Sequence, residues 1–549
     1  MKKLIVYVIC AAMLLSFAAC SGGGDDTTTD VLTEPLTTEP ETTNMITEEP
    51  ATDTETEEET TVPIFTDPSE EVLNTPAATQ FTVSRVFGND MVIQRNEYIR
   101  VWGFADEDQN GKRVNAEFAG LIGAALIEDG KFMITLNGSL PESTEPRPFR
   151  VYGDGVEYTF NDVLVGDVYW MVGQSNATYP VQSIKNEPRS SSEGRNVGIY
   201  DSDFIRLHRS TSDDPAGLTI GTADVNEDTP IKRGWQKPTK GALLFSALGY
   251  FTAKQLYDKL EGKIPIGMIE FASGGAALNA FCPNEICDQL KIDKFDSAKG
   301  VYTAPSVNNH PTRFMYNHYM YAFQKYPICG IIWYQGESDC TSQNDKKYPD
   351  RFDALITEYR NRHDLINHDY PVFIIEFPAI WQSFPFETIR QYMGTIPNVT
   401  KNAHLCQSSD LWKDTKYDNS LHPYVKWEQS VRMTNIILAN IYGIGDPAYV
   451  EGPSAVSIEY SEDKMSAVIT FRNVGDGLRI EGDELKGFIA NGSTKAKMTA
   501  EIIDKDKVRV TYTKSIKSVS YNAGQQDTFP ETITLCNSEG VPCNSFIIK

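Results

Sequence analysis

The sequence predicts an α/β fold whose central parallel sheet carries helices on both faces, flanked by N- and C-terminal β-sandwich-like units. Three observations carry this reading. Near-continuous apolar runs at 163–172, 264–271, 330–334 and 371–377, with a weaker one at 403–406, read as buried strands. Helical periodicity occupies 242–260, 348–362, 386–393 and 425–441, between and after those runs. On either side, short alternating stretches broken by turn residues read as antiparallel β structure.

The first 20 residues read as an export signal. Lys2 and Lys3 precede an apolar stretch, 4–15, that is too short to span a bilayer. Ala18-Ala19-Cys20 then leads into Ser21-Gly22-Gly23-Gly24, a pattern similar to a bacterial lipobox. On that reading Cys20 is lipidated and becomes the mature N-terminus; ordinary signal cleavage nearby is the alternative. Residues 21–80 hold 17 Thr, 16 Asp or Glu and six Pro, with no Lys or Arg. A segment so poor in large apolar residues does not offset its ordering entropy, and its like charges extend it. It reads as a tether from a membrane to the folded region, with an acidic binding tail as the alternative.

The formal net charge of -25 falls to -11 for residues 81–549 once the tether and the two leading lysines are set aside. That balance excludes a nucleic-acid binder, which needs a positive footprint. After residue 20 no apolar run approaches the roughly 18 residues of a membrane-spanning helix. Without Cys10 and Cys20, seven of the nine cysteines remain, an odd number in a chain large enough to fold without staples. Cys282/Cys287 and Cys536/Cys543 are the pairs that could close on exposure to an oxidant. No Cys or His spacing suggests a metal site, and none is expected.

The folded chain divides into an N-terminal β unit (81–160), a catalytic α/β region (161–445) and a C-terminal β unit (446–549). The first unit has short strands at 81–86, 91–94, 99–103 and 149–152; the last has them at 456–460, 466–471 and 507–512. A polar motif follows four of the five buried strands of the middle region. They are Gly173-Gln174-Ser175-Asn176, Ser273-Gly274-Gly275, Gln335-Gly336-Glu337-Ser338 and Ser408-Ser409-Asp410. In open α/β sheets ligands bind beyond the carboxyl ends of the strands, so the topology brings these motifs together.

Their chemistry suits acyl transfer. Ser175, after a strand and before an expected helix, is placed as a nucleophile whose N–H faces an anion-stabilising helix start. Gly173-Gln-Ser-Asn-Ala177 is not Gly-x-Ser-x-Gly, so the α/β-hydrolase elbow is disfavoured. Gly274 offers an unobstructed backbone N–H and Gln335 an amide N–H₂ for an oxyanion. His422, in Asp418-Asn-Ser-Leu-His-Pro423, is the best-placed base; His208, His310, His318, His363, His368 and His404 are less well placed. Taken singly, each residue also has an ordinary reading: a turn serine, a tight-turn glycine, a surface glutamine, a loop histidine.

Together the motifs resemble the sialate O-acetylesterase family of SGNH-type hydrolases. The matching residues are Met91-Val-Ile-Gln-Arg95, Val101-Trp-Gly103, Gly166-Asp-Val-Tyr-Trp-Met-Val-Gly-Gln-Ser-Asn176 and Pro265-Ile-Gly-Met268. Further matches are Ser273-Gly-Gly275, Trp333-Tyr-Gln-Gly-Glu-Ser338, Leu421-His-Pro423 and Asn537-Ser-Glu-Gly-Val-Pro542. The resemblance spans residues 81–549. It implies an SGNH-type fold, Ser/His hydrolysis of O-acetyl esters on sugars, and no cofactor. It also implies Ser175 as nucleophile, Ser175, Gly274 and Gln335 as the oxyanion hole, and His422 as base. Gln174, Asn176, Glu337 and Asp410 flank these and are the expected substrate contacts. Ala177 departs from the family, which usually has Met there.

The acid that orients His422 is the least settled assignment. The family's Asp, three residues before the His, is here Asn419. Asp418 is the first choice, Asp410 the second, and a Ser-His dyad oriented by a backbone carbonyl the third. Acetyl-xylan or another acetylated glycan is an alternative substrate. A catalytically dead surface glycan-binding module is the rival function, and intact Ser175 and His422 speak against it.

The lipobox reading has a direct check. Cys20→Ala should release the protein from the membrane fraction or leave it unprocessed, and unchanged fractionation of that variant would sink it.

Overall fold

The apolar run expected at 163–172 is the second half of a longer strand, Glu157–Gly173, and that strand organises the molecule. The computed structural model describes residues 65–197, 202–210, 225–228, 234–239, 243–290, 295–296, 301–302, 312–340, 345–377, 386–411, 421–493, 496–522 and 533–549. Cys20, most of the acidic segment, His310 and Asp418 lie outside them.

Strands β1 to β8 are Thr82–Val83, Val92–Gln94, Arg100–Phe104, Arg113–Phe118, Leu121–Leu126, Lys131–Thr135, Ser143–Tyr152 and Glu157–Gly173. Along its first six residues β8 alternates exposed and half-buried side chains; from Val163 onward every residue is buried. The change marks passage from a sheet with one wet face to a sheet covered on both. The outer half of β8 pairs antiparallel with β7, and Leu164 pairs in parallel with Val92 of β2. β7 continues to β4 and β5, while β1, β3 and β6 form a separate sheet. Val101 and Ile134 from that sheet share a continuous buried core with Val114, Phe118 and Phe149, and this core runs on into the middle of the chain.

The inner half of β8 sits at the centre of a parallel sheet. Its members are β9 (Ile205–Arg209), β10 (Ile266–Ala272), β13 (Gly330–Tyr334), β14 (Val372–Ile375) and β15 (Ala403–Cys406). A two-rung hairpin, β11 (Phe295–Asp296) and β12 (Val301–Tyr302), stands apart from it. The order across the sheet is β9-β10-β8-β13-β14-β15, every pair parallel. β9 was no part of the expected sheet. Its Arg206 and His208 disguise the apolar pattern, yet both are fully buried, with Arg206 paired to Asp162 at 3.2 Å.

Adjacent residues of β8 face opposite helix layers, as strand alternation requires. Trp170 packs on Tyr359 of the helix Tyr348–His363, with ring centroids 6.2 Å apart. Met171 faces the helix Ala247–Lys259, where Gly249 leaves room for it and for Met268. That helix starts later than the pattern suggested, because Ser246 caps it by accepting from the Gly249 N–H at 3.0 Å. The helix Lys426–Tyr442 lies alongside, joined by Gln255 Nε2 to Ser430 Oγ at 2.5 Å.

The C-terminal strands build their own core around Phe471, Phe488, Tyr521 and Phe546. The Asn537–Pro542 motif ties the end of the chain to the segment just before the first strand of this part. Asn537 donates to the carbonyls of Tyr449 (3.0 Å) and Glu451 (3.1 Å) and accepts from the N–H groups of Glu539 (3.0 Å) and Val541 (2.9 Å). Its conformational role is complete without any ligand.

One expectation needs correction. The tether does not run to residue 80: Ala78 is fully buried, its N–H bonded to the Arg113 carbonyl at 2.8 Å, and Phe65 packs on Tyr98. The acids thin out after Glu71, and the small apolar residues that follow fit the β surface. The seven described cysteines, Cys282/Cys287 and Cys536/Cys543 among them, are free thiols.

Candidate active site

Three motif loops leave the parallel sheet from one rung. Gly173 of β8 is in register with Ala272 of β10 and with Tyr334 of β13. The residues that follow, Gln174-Ser175-Asn176, Ser273-Gly274 and Gln335-Gly336-Glu337, therefore open at the same height. Gly173 itself is required. It has φ +153°, and a Cβ there would lie 2.0 Å from the Tyr334 carbonyl oxygen.

Ser175 occupies a turn rather than a helix start. The N–H groups of Ala177 and Thr178 both bond back to the Gln174 carbonyl, and the next helix is the short Val181–Asn186. Any oxyanion donor here is thus an individual N–H and not a helix terminus. Gly274 is the neighbour that matters: a Cβ placed on it would sit 3.7 Å from Ser175 Cβ, in ordinary contact. Gly274 is exposed and Ser175 half-buried, so the two form one accessible corner.

Gln335 is used differently from the expectation. It is fully buried, and its Nε2 lies 2.7 Å from Asp339 Oδ2, 3.1 Å from the Ala276 carbonyl and 3.3 Å from Gln174 Oε1. Two amide hydrogens face three protein acceptors, which leaves none for an oxyanion. Its Oε1 accepts from Tyr348 OH at 2.8 Å, and Tyr348 OH accepts in turn from Trp333 Nε1 at 3.0 Å. Asp339 Oδ2 also takes the Leu278 N–H at 2.8 Å, so this carboxylate ties the Gln335 loop to the chain after Gly274. Gln335 is a brace between loops.

Gln174, Asn176 and Glu337, expected at the substrate, face inward too; none is more than 8% exposed. Gln174 Oε1 accepts from the Ser338 N–H at 3.2 Å. Asn176 Nδ2 donates to Glu337 Oε1 at 2.7 Å and to the Leu421 carbonyl at 3.1 Å, and its Oδ1 accepts from Lys426 Nζ at 2.8 Å. Burial pushes the Glu337 carboxyl up to about 7, against the opposing pull of the Asn176 bond. Burial likewise pulls the Lys426 ammonium down to about 7, with Glu337 acting in the other direction.

Leu421 directly precedes His422, so the Asn176 bond draws the histidine's backbone toward the Ser175 turn. The imidazole lies over Tyr179, centroids 5.8 Å apart and planes 21° from parallel. Burial, and then the charge of Lys426, lower its pKa to about 4. His422 is therefore neutral at physiological pH, the form a general base requires.

Of the candidate acids, Asp418 is outside the described residues. Asp410 binds Arg432 through both oxygens, Nη1 to Oδ1 and Nη2 to Oδ2, each at 2.6 Å. A bidentate pair of this kind fixes the carboxylate against the helix Lys426–Tyr442 rather than against His422. The other described histidines serve elsewhere. His208 and His363 are buried core residues bonded to Ser210 and Tyr370; His404 bonds Glu451, and His318 approaches Asn226. His368 is exposed.

Lys426, Tyr179, Tyr348 and Asp339 are the residues that reading the sequence missed. Lys426 did leave a signal: a lysine in the first turn of a helix opposes the macrodipole and calls for another reason to be there.

Comparison with known proteins gives a family likeness. Residues 165–425 match the family model described as carbohydrate esterase, sialic acid-specific acetylesterase. Human sialate O-acetylesterase is 25% identical over 431 residues, spanning 71% of this chain and 76% of its own. The orangutan (Pongo abelii) protein of the same name is 25% identical over 423 residues, with the same coverage. A carbohydrate acetylesterase from Xanthomonas citri shares the fold, with a TM-score of 0.68 at 21% identity over 86% of this chain and 100% of its own.

The brace assignment predicts a stability effect. Gln335→Ala removes the amide donor from the buried acceptors Asp339 and Gln174, and should cost about 1–3 kcal/mol of stability. Denaturant unfolding of the purified variant measures it; a midpoint equal to wild type would remove Gln335 from this role.

Proposed function

The chain carries the carbohydrate esterase domain of sialic acid-specific acetylesterases over residues 165–425 and is a carboxylic ester hydrolase; on that premise we propose that it removes O-acetyl groups from sugars, with Ser175 as nucleophile and His422 as general base. One observation carries the reading beyond the family. The Asn176–Leu421 bond links the residue after Ser175 to the residue before His422, so nucleophile and base belong to one hydrogen-bonded unit.

The chemistry follows from the parts. Ser175 Oγ attacks the acetyl carbonyl while neutral His422 accepts its proton. The N–H groups of Ser175 and Gly274 receive the oxyanion as it forms, with Gln335 and Asp339 holding the loops that present them. The imidazolium returns its proton to the departing sugar hydroxyl, leaving an acetyl-serine. Water, deprotonated by His422, then releases acetate and restores the serine. Asp418, four residues before His422 in the sequence, remains the proposed orienting acid, since Arg432 already occupies Asp410.

The fold is read as SGNH-type, with sandwich-like β units on either side, and O-acetylated sialic acids are the first substrate class. Lipidation at Cys20 would place this activity on the bacterial cell surface. Acetate release from O-acetylated sialic acid, acetyl-xylan and a chromogenic acetyl ester distinguishes the substrate readings.

Two outcomes test the mechanism. Ser175→Ala should abolish acetate release while leaving the thermal midpoint near wild type; near-wild-type hydrolysis would refute the nucleophile. The lowered pKa of His422 sets the pH profile. A base that holds its proton more weakly stays neutral to lower pH, so the acid limb of kcat/KM should fall below the ordinary histidine value of 6.5. A limb centred at or above that value contradicts His422 as the base.

A further inference from the structure

We propose that Lys426, Asn176 and Glu337 act as a positioning strap that sets His422 against the Ser175 turn, a role that rests on the acyl-transfer reading above. The three residues come from three separate segments: the helix Lys426–Tyr442, the nucleophile turn, and the loop after β13. None of them reaches solvent to an extent that would suit a sugar.

Asn176 is the centre of the strap, and its amide is saturated. Its oxygen takes Lys426 Nζ; its two hydrogens go to Glu337 and to the Leu421 carbonyl. Each contact has a consequence for the imidazole. The Leu421 bond fixes the peptide just before His422. The Lys426 bond fixes the helix that begins four residues after it. Glu337 fixes the amide plane, so that neither bond rotates away.

The lysine also acts through rings. Its Nζ lies 4.8 Å from the centroid of Tyr334 and 5.7 Å from that of Tyr179. Tyr334 is the last residue of β13, and Tyr179 is the ring on which His422 lies. A cation held between two aromatic faces gains attraction from both, more so when desolvated. The face beneath the imidazole is thereby referred back to the sheet rung from which the other loops start.

Charge explains why the pair is kept together. A buried lysine or carboxylate is costly alone, and removing one partner leaves the other uncompensated. Glu337 Oε2 is buried with no hydrogen-bond partner among the described residues, so Lys426 is its compensation across Asn176. The strap consequently behaves as a unit, and a neutral replacement at both ends should be better tolerated than at one.

The test measures kcat and KM on a chromogenic acetyl ester, with active serine counted by a phosphonate label. Lys426→Met should lower kcat per labelled serine by roughly 10- to 100-fold, the scale of a small misplacement of a catalytic group, with KM within about threefold. Adding Glu337→Gln should regain at least about threefold of the loss, because the unpaired charge is gone. Should Lys426→Met not accumulate as folded protein, Asn176→Ala carries the same kcat expectation without burying an unpaired charge. An unchanged kcat per labelled serine, a change confined to KM, or a double variant no better than the single overturns the strap. Ser175→Ala run alongside keeps the two readings apart. If that variant is active, the nucleophile assignment fails; if it is dead while the strap variants keep full kcat, only the strap fails.

Discussion

The approach of β8 to β13 at Gly173 is the constraint on which the site depends. The Tyr334 carbonyl stands where any side chain on residue 173 would begin, and the Gln174 N–H then bonds that same carbonyl at 3.2 Å. Strand pairing thus continues one residue past the last rung before the chain turns. A larger residue would push the strand ends apart and carry the nucleophile turn away from the Gln335 loop. Because Ala272 shares the rung on the other side, Gly274 inherits the same reference point. The accessible corner formed by Ser175 and Gly274 is a product of sheet register before it is a product of side chains.

Bringing three loops together at one rung buries many polar groups, and the structure answers with stacked hydrogen bonds. Trp333 donates to Tyr348, Tyr348 to Gln335, and Gln335 to Asp339, which also holds the Leu278 N–H. Each member is satisfied by the next, which is the condition under which a buried polar network rigidifies rather than weakens a core. These residues touch no reacting atom. Their effect is to leave the loops few alternative positions, so that in the proposed mechanism backbone N–H groups are already aimed when charge develops.

Much of this was legible in the sequence. Apolar runs located β8, β10, β13, β14 and β15, and the motifs after them do gather at one sheet end. What escaped was what buried charge conceals. β9 looked too polar because Arg206 and His208 are satisfied only by tertiary partners. Gln174, Gln335 and Glu337 looked like ligand-facing residues because a polar motif at a strand end reads the same whether it points outward or inward. No one-dimensional pattern separates those cases; the acceptors that claim the Gln335 amide come from residues 174, 276 and 339. The Ser175 turn was read as a helix start because a serine after a strand commonly caps one, and here the Gln174 carbonyl closes the turn first.

The placement of charge around His422 separates stability from function. A buried lysine beside a histidine weakens that histidine as a base, and neutral residues in place of both Lys426 and Glu337 would avoid the cost of desolvating the two charges. Yet burial, with the same lysine adding to it, keeps the imidazole unprotonated, and the lysine holds, through Asn176, the peptide that carries it. A base of reduced strength loses some driving force for proton transfer, whereas a base in the wrong protonation state or the wrong place contributes nothing. Proximity and orientation are the larger effect for an intramolecular proton transfer. With His422 as the proposed base, an arrangement that sacrifices basicity to fix position is favourable for catalysis, even where it adds nothing to the stability of the fold.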